Sequence, residues 1–227
     1  MRLYQNKVLL FVFILVLSTL SILLFFDDSN FLSNNIISSN AVVNTRVNIL
    51  PAEQKNCSVQ LSTGWNMVSF YCLGLFNERS IVLQSVSESY GAIFKYQSSD
   101  VTDPWKSYNP NLPNWTVQQL NYMDRTSGYW IYMTNDTTFF YSGVYSNSVI
   151  PLYSGWNFVG YPNLNSTNIS VALSEISFSV VDYYNKSTGT WLVYYYGGSS
   201  NTLNNFNTYK GYWINVSSIS QWNITRG

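Results

Sequence analysis

From about residue 60 onward, short apolar runs alternate with polar turns, and the whole pattern is passed through twice. The first pass opens with Leu61 and Gly64-Trp65-Asn66-Met67-Val68 and closes with Gly128-Tyr129-Trp130-Ile131. The second opens with Leu152 and Gly155-Trp156-Asn157-Phe158-Val159 and closes with Gly211-Tyr212-Trp213-Ile214. Between these ends Val82-Leu83 matches Ala172-Leu173, Tyr96 matches Tyr184, and Trp105 and Tyr108 match Trp191 and Tyr194. The spacing shrinks steadily from one landmark to the next, so the second copy is the first with small deletions between the apolar segments.

Within each opener the period is two. Trp65, Met67 and Ser69 share one strand face, and Asn66, Val68 and Phe70 share the other. The glycine before each tryptophan fits a turn that needs a positive φ. Asn66 and Asn157 are placed to bond the backbone of that turn. A large aromatic that recurs at the same strand position reads as a core anchor, so Trp65, Trp130, Trp156 and Trp213 are assigned to the cores of the repeats.

The remaining elements follow from the same patterns. Ile81-Val82-Leu83 with Val86 has helical spacing, with Asn77 and Ser80 as candidate caps, and Ser170 to Ile176 repeats it. Ala92–Tyr96 and Pro104–Tyr108 read as paired strands, and Asn185 to Gly189 as the matching turn of the second copy. Thr116–Met123 and Leu203–Tyr209 read as a helical turn or two. The closing strand is expected to form a hairpin with Thr137–Tyr141 over Asn135-Asp136. The fold class is therefore α+β: two tandem repeats of mainly antiparallel β-sheet with short helices.

Ahead of the repeats, Arg2 and Lys7 precede an apolar run from Val8 to Phe26. A bilayer core takes about 20 helical residues, and basic residues stay on the cytoplasmic side. The expected organisation is a cytoplasmic stub (1–7), a transmembrane signal-anchor (8–26), an Asn/Ser-rich stalk (27–54) with a short strand at Val47–Leu50, repeat module 1 (55–145) and repeat module 2 (146–227). The repeats then lie outside the cell, held at the membrane by the N-terminal helix. Cleavage of a signal peptide, leaving a secreted protein, is the alternative. The modules themselves read as two small domains or as one fused pair.

Composition narrows the function classes. The chain has 227 residues, with 11 basic and 11 acidic side chains, no histidine, and only 10% charged against 18% aromatic residues. Such a chain has no electrostatic footprint for nucleic acid. Without histidine, Ser-His and Cys-His nucleophilic pairs are excluded, and no phosphate-binding fingerprint occurs. Asp100 and Asp103 are a carboxylate pair, but the second copy has no counterpart, which argues for a solvated turn over a catalytic one. No cofactor or metal site is expected, and the chain is not read as an enzyme.

Cys57 and Cys72 flank the Gly64-Trp65 turn almost symmetrically, and outside the cell two such residues form a disulfide. A hairpin through that turn would bring them opposite one another. The second copy has Ser148 and Asn163 in these places. Asn56, Asn114, Asn135, Asn165, Asn168, Asn185, Asn215 and Asn223 fit the N-glycosylation acceptor pattern. Two aromatic clusters are candidate ligand contacts: Trp105, Tyr108 and Trp115, and Tyr194-Tyr195-Tyr196. Exposed aromatics with nearby asparagine suit either sugar stacking or protein contact.

The pattern L-x-x-G-W-N-x-V followed by G-Y-W-I is carried by Leu61, Gly64 to Asn66, Val68 and Gly128 to Ile131, and again by Leu152, Gly155 to Asn157, Val159 and Gly211 to Ile214. It resembles a tandem repeat module of secreted and cell-surface proteins of archaea and bacteria, of S-layer-like or adhesin-like kind. The resemblance covers roughly residues 58–225 and implies a surface protein without a defined activity. The expected function is a structural or adhesive role at the cell envelope, with an envelope protein or glycan as partner. A carbohydrate-binding module using exposed Trp and Tyr is the alternative.

Overall fold

A computed structural model describes residues 53–227 of the chain. The proposed cytoplasmic stub, the Val8–Phe26 anchor, the Val47–Leu50 strand and nearly all of the stalk lie outside the described residues. Among the described residues no helix is long and apolar enough to cross a membrane.

The first copy contains β1 (Glu53–Leu61), β2 (Gly64–Val68), β3 (Asn77–Glu78), α1 (Arg79–Val82), a 3-10 turn (Gln84–Val86), β4 (Tyr90–Tyr96), β5 (Trp105–Tyr108), β6 (Tyr122–Met123), β7 (Tyr129–Met133) and β8 (Thr137–Tyr145). The second contains β9 (Ser148–Leu152), β10 (Gly155–Gly160), β11 (Thr167–Asn168), α2 (Ile169–Ala172), β12 (Phe178–Asn185), β13 (Thr190–Tyr195), β14 (Asn205–Phe206), β15 (Gly211–Val216) and β16 (Ser220–Ile224). Strand order is the same in both. A four-stranded sheet runs β2-β7-β4-β5 in one and β10-β15-β12-β13 in the other, beside the two-stranded ribbons β1-β8 and β9-β16. Both sheets carry a bulge at the same place, between Tyr90 and Ala92 and between Phe178 and Val180.

The α+β expectation is overturned: the described residues are nearly all β-sheet, and each α-helix is four residues long. Each helix stops after one turn although apolar residues follow, because so short a segment gains little from helix propagation and its apolar residues are held by the sheet instead. The helical turns expected over Thr116–Met123 and Leu203–Tyr209 are instead the short strands β6 and β14, paired with β3 and β11. Asn77 and Ser80 do not cap α1, whose N-cap is Glu78 with no side-chain bond, whereas Asn168 caps α2 by accepting from the Ser170 N–H. The expected β7-β8 hairpin does not form either. β8 crosses over to pair with β1 along its full length, from Glu53↔Tyr145 to Leu61↔Thr137. The local turn at Asn135-Asp136 was visible in sequence, but a pairing partner some 80 residues away leaves no local trace.

Both opener turns form as expected. Gly64 and Gly155 have φ of 88° and 94°. The Asn66 amide donates to the Ser62 and Gly64 carbonyls at 2.7 and 2.8 Å and accepts from the Ser62 N–H at 3.1 Å. Asn157 makes the same three bonds, to Tyr153 and Gly155. The closing tyrosines are also matched. The Asp124 N–H donates to the Tyr129 hydroxyl at 2.8 Å and the Asn207 N–H to the Tyr212 hydroxyl at 2.7 Å. A fully buried phenol thereby has its polar end satisfied.

Each copy has its own core. In the first, Val68, Ile93, Tyr129, Ile131 and Met133 of the sheet pack against Cys57, Leu61 and Phe139 of the ribbon and Val82 and Val86 of the helical turns. In the second, Val159, Val181, Tyr212, Ile214 and Val216 meet Leu152, Ile150 and Trp222. One face of each four-stranded sheet is thus covered by its own ribbon. The other face carries Trp65, Phe94, Trp105 and Trp130, or their counterparts.

The described residues of both copies belong to one compact unit, the fused-pair arrangement. Contacts between the copies come in matched pairs, as a pseudo-twofold relation requires. Val68 bridges Lys210 and Val159 bridges Ser127. The Ser69 N–H donates to the Tyr209 carbonyl and the Gly160 N–H to the Thr126 carbonyl, both at 2.9 Å. Tyr209 holds a left-handed φ of 66° at this contact, an uncommon conformation for a bulky residue that its counterpart Thr126 does not share. The junction also explains the glycines of the closers. A Cβ on Gly128 would lie 2.6 Å from the Phe158 ring, and one on Gly211 2.9 Å from the Val68 carbonyl oxygen.

Cys57 and Cys72 form the expected disulfide. Its geometric basis differs from the one anticipated, because β1 and β2 are not paired with each other: β1 pairs with β8 and β2 with β7. The bridge instead ties the ribbon to the loop after β2, whose Cys72 carbonyl accepts from the Val144 N–H at 2.8 Å. In the second copy hydrogen bonds take this place: Asn163 donates to the Thr225 carbonyl at 2.9 Å, and the Ser148 hydroxyl accepts from Arg125 at 2.7 Å.

Candidate functional site

The free faces of the two four-stranded sheets meet beside the pseudo-twofold seam and form a continuous aromatic surface. Strand alternation places its members. On β7, Tyr129, Ile131 and Met133 are buried in the core while Trp130 and Tyr132 face the other way. Trp65 of β2 meets Trp130 edge-on at 6.4 Å, and Trp156 of β10 meets Trp213 edge-on at 6.3 Å. Rings cross the seam in pairs as well. Tyr96 packs on Trp213 at 5.1 Å and Tyr184 on Trp130 at 5.6 Å, while Trp105 meets Trp213 at 5.9 Å and Trp191 meets Trp130 at 6.1 Å. Phe158 lies between the two closers, stacked on Trp213 at 4.8 Å and tilted against Trp130 at 6.3 Å.

The core assignment of the repeat tryptophans is therefore corrected for Trp65 and Trp156, whereas Trp130 and Trp213 pack against the margin of the second core. Trp65 and Trp156 are each 41% exposed. Trp130 and Trp213 are half-buried at the seam. The alternation was read correctly, but the buried face is the one bearing Val68 and Phe70. The tryptophan face of each sheet has only the other repeat beside it, which leaves part of every ring open to solvent.

Two clefts open on this surface. The first, of about 580 Å³, is lined by Trp65, Phe94, Trp105, Trp130, Tyr184 and Trp191. The second, of about 360 Å³, is lined by Tyr96, Trp156, Asp182, Trp191 and Trp213. They are pseudo-twofold images of each other: Trp65 corresponds to Trp156, Trp130 to Trp213, Tyr184 to Tyr96, and Trp105 to Trp191. Six of the chain's eight tryptophans line one cleft or the other, leaving Trp115 and Trp222. The one change of character is at Phe94, whose counterpart is Asp182. In the first cleft the Phe94 ring sits 5.7 Å from Trp65 and 6.4 Å from Trp105. In the second the same place holds a carboxyl group whose Oδ1 is buried without a hydrogen-bond partner. Burial pushes the Asp182 carboxyl above its usual range.

Of the candidate ligand contacts, Trp105 lies in the cleft and is 43% exposed. Tyr108 does not reach it: its ring packs on the first core, with the Arg79 guanidinium 3.2 Å from the ring centre. Trp115 is 84% exposed on the loop between β5 and β6, away from the cleft lining. Tyr194 stacks on Phe178 at 6.0 Å and packs against the second core. Tyr195 and Tyr196 are exposed at the end of β13, where Asn201 ties the Tyr195 backbone to a local turn and the Tyr196 N–H donates to the Ser179 carbonyl. The two clusters thus do not come together. Trp191, absent from the candidates, is the counterpart of Trp105, so the repeat alignment held the signal for it.

The carboxylate pair forms a loop-stabilising knot. Asp100 accepts from Lys106 at 2.7 Å and from the Thr102 hydroxyl at 2.9 Å, and Lys106 and Thr102 hold its carboxyl below the usual range. Asp124 is buried. Burial pushes its carboxyl up, but Lys95 at 2.6 Å and the hydroxyls of Thr126 and Ser127 outweigh that and hold it low. Among the described residues no group of His, Cys, Asp or Glu could hold a metal ion. Of the acceptor asparagines, Asn56, Asn114, Asn135, Asn165, Asn168 and Asn223 are exposed and Asn185 and Asn215 half-buried. No protein-family model, curated protein or solved structure matches the chain.

Proposed function

We propose that the chain is an extracellular surface protein that uses the tryptophan face shared by its two repeats to hold a glycan of the cell envelope. The observation that carries this reading is the collection of six tryptophans from separate strands of both copies into two adjoining clefts. An exposed tryptophan loses apolar surface to water unless a ligand covers it, and a fold stabilised by burial has no use of its own for such a face. Sugar rings present C–H groups that match the negative face of an aromatic ring. Both cleft volumes fall in the range of small-ligand sites. The disulfide and the neutral, hydroxyl-rich surface suit an oxidising exterior. Attachment through Val8–Phe26 belongs to the same proposal, as does a role in binding with no catalytic step.

A structural or adhesive role through protein contact is the second reading. It is favoured by Leu75, Phe76 and Tyr122, exposed side chains that line a separate depression of about 230 Å³.

The test is a titration of the full chain with oligosaccharides released from cell envelopes, alongside a pull-down of intact and glycan-stripped envelopes. Glycan binding weakened about 10-fold by Trp65→Ala, with unchanged thermal unfolding, is the expected result. Pull-down that persists after stripping, and that Phe76→Ala abolishes, would replace it with the adhesive reading.

A further inference from the structure

The second cleft differs from the first in charge, and that difference points to a ligand class of its own. Asp182 stands on β12 opposite Val193 of β13 and Trp213 of β15. The described ion pairs involve Glu53, Asp100, Asp103 and Asp124, and none involves Asp182. Both lysines of the second repeat's strands and turns are engaged elsewhere: Lys186 donates to the Thr63 carbonyl at 2.5 Å, and Lys210 lies 4.5 Å from the Tyr183 ring centre. A carboxylate that is partly desolvated and unpaired lowers stability. Phenylalanine is accepted at the matching position of the first repeat, so the fold does not need an acid there.

We propose that the second cleft binds a compact organic ammonium, quaternary or methylated, between the rings of Tyr96, Trp156, Trp191 and Trp213, with Asp182 as its counter-charge. The chemistry selects this class. Four electron-rich ring faces attract a cation through their quadrupoles, and Asp182 supplies the opposite full charge. A bare divalent ion needs several oxygen ligands, and the cleft offers one carboxyl group. A primary ammonium is strongly hydrated and needs three hydrogen-bond acceptors for its N–H groups, whereas the acceptors of this lining are the Asp182 carboxyl and the Tyr96 hydroxyl beside three indole rings. Methylated nitrogen spreads its charge over apolar methyl groups, which the rings can cover. A neutral sugar would cover the rings and could hydrogen-bond Asp182 through its hydroxyls, but it would bring no opposite charge. The inference does not depend on glycan binding at the first cleft.

The full chain is titrated with choline and, separately, with 3,3-dimethylbutan-1-ol, which has the same shape and no charge, following calorimetry and tryptophan fluorescence. Choline is expected to bind at one site, with the neutral isostere about 10-fold weaker or more. Asp182→Asn keeps the side chain's shape and removes a half-buried, unpaired charge, so it is expected to fold, to weaken choline about 10-fold and to leave the neutral compound unchanged. Trp156→Ala abolishes choline binding, and Trp65→Ala, its exposed counterpart in the first cleft, leaves it intact. Equal binding of the two compounds, an unchanged affinity in Asp182→Asn, or no choline binding by the folded chain overturns the inference. Loss of glycan binding in Trp65→Ala with choline binding retained separates the fate of this site from that of the first.

Discussion

The two repeats carry the same strands in the same order, but they have diverged where they meet each other and where they meet solvent. At the seam, Ser69 of the first copy corresponds to Gly160 of the second. The Ser69 hydroxyl donates to the Lys210 carbonyl at 2.8 Å and accepts from the Tyr161 N–H at 3.3 Å. A Cβ on Gly160 would lie 2.6 Å from the Arg125 carbonyl oxygen and 2.9 Å from that of Ser127. In the ribbon, a disulfide on one side is replaced by Asn163 and Ser148 on the other. On the aromatic face, Phe94 becomes Asp182. A duplicated module can thus keep its fold through the turn asparagines and buried tyrosines while its pseudo-twofold axis frees one copy of each remaining position to change.

Each divergence can be used to break the symmetry or to measure it. The largest effect is expected at the seam. Gly160→Ser, which merely restores the first repeat's residue, should destabilise by about 3 kcal/mol because the new side chain meets backbone that cannot yield. Ser69→Ala should cost about 1 kcal/mol, the value of its hydrogen bonds. Denaturant midpoints of the two variants decide the point, and equal effects would contradict the packing asymmetry. Next comes the disulfide. Cys57 and Cys72 are separated by 15 residues, and replacing both by serine should cost about 3 kcal/mol through the unfolded chain's entropy. Guanidinium unfolding with and without reductant checks this, since the serine variant should be indifferent to reductant.

The smallest effect tests the acidic cleft without any ligand. Burial raises the folded-state carboxyl of Asp182 above its unfolded value. The unfolded chain then loses its proton first as pH rises, so this group's contribution to stability falls as pH passes through the folded value. The penalty is absent below the usual carboxylate range and full at neutral pH. Asp182→Asn should therefore give a small gain in stability at about pH 7 and none at about pH 3. A gain of equal size at both pH values would show that the carboxylate's charge is not the cause.

What sequence could supply here followed the range of the interactions. The opener turns were legible because Gly64, Asn66, Gly155 and Asn157 act on backbone within four residues. The strands β4, β5 and β7 were legible as short aromatic and apolar runs bounded by polar turns. The β1-β8 pairing was not, because nothing local to Thr137–Tyr145 names Glu53–Leu61 as its partner. The helices were overread, since apolar spacing over Ile81 to Val86 fits one turn followed by a 3-10 turn as well as it fits a helix. At the candidate site, alternation separated Trp65 from Val68 but could not say which face would be covered, because the answer depends on the other repeat. The same limit hid the clefts: Trp105 stood out by composition, whereas Trp191 and Asp182 needed to be set against Trp105 and Phe94 through the repeat alignment.

The most direct test of the shared aromatic face is to follow the eight tryptophan indole N–H signals by NMR while envelope oligosaccharide is added. Shifts confined to the cleft tryptophans Trp65, Trp105, Trp130, Trp156, Trp191 and Trp213, with Trp115 and Trp222 unmoved, are the predicted result and would place the ligand across both repeats. Shifts at Trp115 with the cleft signals unmoved, or no shift in any of the eight, would contradict it.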